Sequence, residues 1–137
     1  PRTKLPDIMK HSQATSAKNG IAIANVFHAG DGNIHPILMF DERDPVQVEK
    51  VLHASTDILE ECIRLGGSVT GEHGIGVEKL DFMPKLFSPD DLAFMVRLRT
   101  AFNPSNRCSP NKMLPTAGAC VESGHVHQVK PGRRAAV

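Results

Sequence analysis

The stretch that decides the fold is residues 21–41, which reads IAIANVFHAGDGNIHPILMFD. Two runs rich in Ile, Val and Phe, 21–28 and 34–41, flank a segment dense in Gly, Asp and Asn, and this pattern predicts a β-hairpin. The Asp31-Gly32 pair suits a two-residue turn, because both residues tolerate the positive φ that such a turn requires. The stretch therefore predicts two antiparallel strands.

That turn would also fix the register of the strands. With a two-residue tip, His28 lies directly opposite His35 on one face of the hairpin, and the two Cβ atoms are about 5 Å apart. Pro36 cannot donate a hydrogen bond to a neighbouring strand, so its strand is expected at a sheet edge.

Helical patterns surround the hairpin. Residues 45–65 carry apolar residues at helical spacing, with Asp44 as the N-cap and Gly66-Gly67 as the stop signal. Further helices are predicted over 5–19, ending at Gly20, around 78–86, and over 90–102, capped by Ser88. Strands paired between helices indicate an α+β fold, in which the helices pack on one face of an antiparallel sheet.

Length and composition fit one domain followed by a tail. The chain has 137 residues, of which 40% are hydrophobic, and this suits a single domain. From Asn103 the sequence becomes rich in Pro, Asn, Ser and Gly. The predicted domain spans 1–115, and residues 116–137 are predicted to form a flexible tail.

The charge and the cysteine content limit the classes of protein to which the chain can belong. A net charge of +1 gives no electrostatic attraction to nucleic acid or to a membrane surface. No apolar run is long enough to span a bilayer. The three cysteines, Cys62, Cys108 and Cys120, include no CxxC pair, which argues against a disulfide scaffold. The composition therefore predicts a cytoplasmic protein without membrane insertion.

Three of the seven histidines, His28, His35 and His73, stand beside glycines and could carry chemistry. Two imidazoles on one hairpin face can share a divalent metal, and Glu72 can add a third ligand from the glycine-rich loop 68–76. Such a set leaves open positions on the metal, as catalytic sites require. Taken separately, the histidine pair could instead fill space between its neighbours, and the loop could be a turn with surface charges.

Two motifs resemble those of FAD-linked oxidases of the vanillyl-alcohol-oxidase type. Residues 25–36, NVFHAGDGNIHP, look like the metal-binding hairpin of that family, and residues 66–79, GGSVTGEHGIGVEK, look like its second active-site loop. Within the family, the pattern is similar to the D subunit of glycolate oxidase and to the D-lactate and D-2-hydroxyglutarate dehydrogenases. The resemblance covers 1–115 and implies part of a cap over the flavin, without the flavin-binding domain.

The resemblance implies a role for each site residue. His28, His35 and Glu72 would hold a divalent metal, most readily zinc, with manganese or iron as alternatives. His73 would be the general base that takes the hydroxyl proton of a small 2-hydroxy acid. Hydride would pass to FAD, which a flavin-binding domain or subunit would hold. Asn33 would face the substrate or the flavin.

The sequence departs from the family near the end of the matching region. The family has an Asn-Pro-Gly-Lys stretch that docks near the flavin, where this chain has Ser109-Pro110-Asn111-Lys112. From that stretch only Lys112 is carried over, as a further residue that faces the substrate or the flavin.

Three functions follow from these patterns. The first is the C-terminal part of a flavin-dependent 2-hydroxy-acid dehydrogenase, and a first residue Pro1 rather than Met agrees with a processed chain or a piece of a longer one. The second is a non-catalytic metal-binding or interaction module derived from that cap, inactive without a flavin domain. The third is a metal hydrolase in which Glu72 or His73 activates a metal-bound water, although no hydrolase pattern occurs in the sequence.

Overall fold

The computed structural model describes residues 1–115, and the predicted tail over 116–137 lies outside the described residues. Within this part of the chain the fold is α+β, as predicted. The α-helices are α1 (Leu5–Asn19), α2 (Pro45–Arg64), α3 (Met83–Leu86) and α4 (Pro89–Phe102), and the strands are β1 (Ala22–His28) and β2 (Asn33–Met39). Short 3-10 helices cover Arg2–Lys4 and Leu80–Phe82. No helix over 1–115 has both the length and the apolar character needed to cross a membrane.

The predicted helix ends are confirmed where the sequence carries a capping residue. The Asp44 carboxylate accepts a hydrogen bond from the Val46 N–H at 2.9 Å and so caps α2. Gly20 follows α1 in the left-handed conformation, with φ of 63°. The Ser88 hydroxyl accepts from the Asp91 N–H, and the Asp91 carboxylate accepts in return from the Ser88 N–H, which completes a capping box at α4.

The helix predicted around 78–86 forms as two shorter pieces, the 3-10 turn Leu80–Phe82 and the single turn α3. Pro84 is responsible, because it has no N–H with which to reach the Leu80 carbonyl as a continuous α-helix requires. The Met83 N–H donates to that carbonyl instead.

The hairpin forms, but the predicted register is wrong. The two strands pair antiparallel, with His28 opposite Asn33 and Val26 opposite His35. His28 and His35 are therefore not directly opposed. The partner of His28 is displaced by two residues, from position 35 to position 33.

The connection between the strands explains the displacement. It has four residues, 29–32, and it opens with a turn in which the Asp31 N–H donates to the His28 carbonyl at 3.0 Å. Gly32 has a φ of 74°, whereas Asp31 stays out of the left-handed region. A two-residue turn would force Asp31 into that region at a cost in free energy, and a four-residue loop avoids the cost.

The displacement leaves the two histidines on the same face of the hairpin. Side chains alternate between faces with a period of two residues, so a shift of two preserves the face, whereas a shift of one would have reversed it. His28 and His35 are now diagonal neighbours, a spacing that long side chains can still bridge. Their ring centroids lie 5.4 Å apart.

Helices α1 and α2 pack against each other behind the hairpin. Ser12 of α1 is fully buried, and its Oγ donates to Asn25 Oδ1 of β1 at 3.3 Å. Because side chains alternate along a strand, Val26 and His28 point to the other face, where Val26 is half exposed. The buried apolar residues of the core are Ile8, Ile21, Ala54, Ile58, Val69, Phe82, Met83 and Leu114.

Candidate metal centre

Three predicted ligands converge beside the loop end of the hairpin. His28 ends β1, His35 lies within β2, and Glu72 lies in the loop that follows α2. One imidazole nitrogen from each histidine and one carboxylate oxygen from Glu72 lie within 4.8 Å of one another. No other set of three such side chains within 1–115 meets this criterion.

Glu72 lies between His35 and His73 in space and is close to both side chains. Its Oε1 lies 3.1 Å from His35 Nε2 and 3.6 Å from His73 Nε2. The His35 side chain is one-quarter exposed, at 25%, whereas the His73 side chain is 72% exposed. His73 thus lies at the open side of the cluster.

The end of α2 directs the loop that carries Glu72 towards the hairpin. The Gly67 N–H donates to the Cys62 carbonyl at 2.8 Å, and the Gly66 N–H donates to the Ile63 carbonyl at 2.9 Å, which is the hydrogen-bond pair of a Schellman motif. Gly66 supplies the left-handed residue of this motif, with φ of 78°. Val69 is then buried in the core, at 2% exposure, and anchors the start of the loop.

A glycine lets the loop approach the hairpin closely. A Cβ atom at Gly71 would lie 2.7 Å from Asn33 Cγ, closer than real contacts allow. Asn33 also places its Nδ2 3.4 Å from His35 Nε2. Asn33, one of the residues expected to face substrate or flavin, therefore lies between the loop and His35.

Lys112 lies apart from this cluster. Its carbonyl accepts a hydrogen bond from the Arg99 guanidinium at 2.9 Å, and it borders a small cleft beside α4 that Leu114 also lines. The next residue, Met113, donates its N–H to the Gly76 carbonyl at 2.8 Å and so ties this segment to the end of the Glu72 loop. Of the residues predicted from sequence, Lys112 is the one that the structure does not bring to the histidines.

A groove of about 1070 Å³ borders β2 and the Glu72 loop. Its lining includes all three candidate ligands together with His73 and Asn33. It also includes Lys79, a half-buried cation that the sequence analysis did not single out as a site residue. Lys79 is the last residue of the 66–79 motif, but its distance of seven residues from Glu72 does not place it on the groove until the loop is folded.

A polar cluster stands behind the hairpin, between α1 and α2. Asp57 Oδ2 accepts a hydrogen bond from Thr15 Oγ1 at 2.6 Å and lies 3.2 Å from His11 Nε2. The Thr15 hydroxyl lowers the pKa of Asp57, against the opposing effect of burial. His11 is partly buried in this helix interface.

The donor set suits a divalent cation. Two imidazole nitrogens and one carboxylate oxygen are ligands that zinc accepts, and manganese or iron accept them as well. Ligands bound at 2.0–2.1 Å in a tetrahedron lie about 3.3 Å from one another. The 3.1 Å between His35 Nε2 and Glu72 Oε1 already matches that spacing. Three protein ligands would leave positions for a small molecule.

The comparisons with known proteins match this chain to one family of flavoproteins. The family described as FAD linked oxidases, C-terminal domain, matches residues 1–113. Glycolate oxidase subunit GlcD of Escherichia coli (strain K12) is 39% identical over 127 residues, which cover 93% of this chain and 26% of the relative.

Two other relatives extend the comparison. Glycolate oxidase subunit GlcD of Bacillus subtilis (strain 168) is 37% identical over 114 residues, which cover 83% of this chain and 24% of that protein. The probable mitochondrial D-lactate dehydrogenase of Danio rerio is 30% identical over 114 residues, covering 83% of this chain and 23% of that protein. The chain thus spans about a quarter of the length of these relatives.

Proposed function

This chain belongs to the FAD linked oxidase C-terminal domain family, and from that premise we propose that it provides the substrate and metal side of a 2-hydroxy-acid dehydrogenase. The complete active site would oxidise a small 2-hydroxy acid to a 2-oxo acid. The names of the relatives, glycolate oxidase and D-lactate dehydrogenase, refer to substrates of this class.

FAD would be held by a flavin-binding domain or subunit rather than by residues 1–115. The matched family is a C-terminal domain, and no glycine-rich phosphate-binding motif occurs in the sequence. When bound, FAD supplies the acceptor for the hydride that leaves the α-carbon of the substrate.

His28, His35 and Glu72 would hold the divalent metal. When bound, the metal supplies a Lewis acid that lowers the pKa of the substrate hydroxyl. The single observation that carries this proposal is the convergence of the three ligand atoms within 4.8 Å from two separate segments of the chain. If the loop were a turn with unrelated surface charges, its carboxylate would not be expected to lie 3.1 Å from His35 Nε2.

His73 would act as the general base. Its imidazole is the exposed member of the cluster, so a substrate in the groove can reach it. His73 Nε2, which would take the proton of the substrate, lies 3.6 Å from Glu72 Oε1, and the carboxylate would stabilise the resulting positive charge.

Asn33 and Lys112 would have secondary parts in the reaction. Asn33 keeps His35 oriented through the 3.4 Å contact and presents its amide to the groove, where it would face substrate or flavin. Lys112 would face substrate or flavin from the segment that the Arg99 guanidinium holds.

The experiment is a titration of zinc and of manganese into the full chain and its variants. His28→Ala, His35→Ala and Glu72→Ala should each weaken binding by tenfold or more, on the order of one lost ligand. His73→Ala should leave the affinity nearly unchanged, because that residue is assigned to proton transfer. His53→Ala, an exposed histidine on α2, is the matched control. Loss of metal in the His73 variant with retention in the His28 variant would refute the assignment.

A further inference from the structure

Among the charged side chains around the groove, one cation has no carboxylate partner. The charged side chains on its lining are Lys4, Asp31, Glu72 and Lys79, together with the histidines of the cluster. Lys4 forms an ion pair with Asp7 at 3.3 Å, and Glu72 contacts His35. Among the residues that the structure describes, no carboxylate lies within 4.0 Å of the Lys79 ammonium group.

Lys79 is also partly buried, whereas most of the lysines of the chain are exposed. Removing an ammonium group from water costs free energy unless an anion or hydrogen-bond acceptors replace the water. The backbone fixes its place, because the Lys79 N–H donates to the Ile75 carbonyl at 3.3 Å and so closes the turn that follows the Glu72 loop. The structure thus holds an uncompensated positive charge at the wall of the groove that contains the ligands.

We infer that Lys79 binds the carboxylate of the 2-hydroxy acid and so selects acids over neutral alcohols. This inference rests on the proposed function, since it requires the substrate to occupy the groove beside His28, His35 and Glu72. A 2-hydroxy acid carries one negative charge that an ammonium group can neutralise. A charge-assisted hydrogen bond of this kind is stronger than one between neutral groups. His73 then remains free to accept the proton of the substrate hydroxyl.

The test uses the full chain loaded with cobalt(II), whose visible absorption changes when a small molecule enters the ligand sphere. Glycolate and its neutral counterpart glycolamide are titrated into the wild type and into Lys79→Met, Lys79→Arg and Lys50→Met. Lys50 is an exposed lysine of α2 outside the groove, so its variant controls for the loss of one positive charge. Cobalt affinity and the urea midpoint are recorded for each protein.

Lys79→Met should weaken glycolate binding by roughly tenfold or more, which is the loss of one hydrogen bond to a charged group. It should leave glycolamide binding and cobalt affinity unchanged, Lys79→Arg should keep most of the glycolate affinity, and Lys50→Met should match the wild type. Equal glycolate affinity in Lys79→Met and wild type overturns the inference while the metal site stands. An equal loss of cobalt affinity overturns it too, because Lys79 would then act on the metal site or the fold. If the wild type binds no cobalt, the proposed function is refuted, and the inference fails with it.

Discussion

At the scale of single residues, Gly71 is the point where two distant segments meet. Its missing Cβ leaves room for the Asn33 amide, which in turn lies 3.4 Å from His35. The proposed metal centre therefore depends on a residue that has no side chain.

Gly71→Ala should displace Asn33 and weaken zinc binding several-fold, because the loop must move away from the hairpin and take Glu72 with it. Gly30→Ala is the matched control, since a Cβ at Gly30 would meet nothing within 4 Å and its φ is not positive. Calorimetric titration with zinc measures both variants. Equal zinc affinity in the two variants would show that the close approach at Gly71 is irrelevant to the site.

At the scale of elements, the parts of the fold that were predicted correctly are those that local chemistry determines. Asp44 and Ser88 cap their helices through contacts within the next turn, and Gly20 ends α1 by its own left-handed φ. The loss of a continuous helix at Pro84 has an equally local cause that the apolar pattern concealed.

The hairpin register could not be predicted as reliably as the helix ends. It depended on whether Asp31 would adopt a positive φ. The free energies of the two turn types differ by only about 1 kcal/mol. The face of His28 and His35 was nevertheless predicted correctly, because the shift was by two residues. Lys79 ends the 66–79 motif, but its place on the wall of the groove could not be predicted, since it depends on how the Glu72 loop folds over the hairpin.

The α1–α2 interface should give the chain an acid-sensitive part of its stability. The pKa of Asp57 is lowered in the folded state, so its contribution is present above the unfolded pKa and is lost as the pH falls through the folded value. Asp57→Asn should destabilise the chain by about 1 kcal/mol at neutral pH, allowing for the partial exposure of the side chain. The difference from wild type should shrink below about pH 4.

Urea unfolding at neutral pH and at about pH 3 checks this prediction. Glu49→Gln on the same helix is the control, because Glu49 is exposed and makes no ion pair among the described residues. A destabilisation of the same size at both pH values would contradict the role assigned to the ionised Asp57.

At the scale of the whole molecule, several apolar surfaces have no cover within residues 1–115. Phe94, Leu98 and Phe102 follow one another along α4 at helical spacing and are all exposed, Phe102 by 84%. Val26 and Ile37 are half exposed on the hairpin face that carries the histidines. Surfaces of this kind mark interaction sites, which agrees with docking against a flavin-binding domain or subunit.

The chain by itself should bind no FAD with useful affinity. The matched region is a C-terminal domain, and the stretch Ser109-Pro110-Asn111-Lys112 differs from the Asn-Pro-Gly-Lys stretch that the resemblance leads us to expect near the flavin. The purified chain should be colourless, and added FAD should keep the fluorescence of the free flavin. Copurification of yellow flavin in near-stoichiometric amount would overturn this expectation.

The central claim is that His28, His35 and Glu72 form one metal centre, and the most direct test locates the ion itself. Crystals of the zinc-loaded chain should give one strong anomalous-difference peak at the zinc edge, at about 2.0–2.2 Å from an imidazole nitrogen of each histidine and a carboxylate oxygen of Glu72. His73 should lie outside the ligand sphere. A peak that His73 ligates in place of His28, or no peak between the hairpin and the Glu72 loop, would contradict the account.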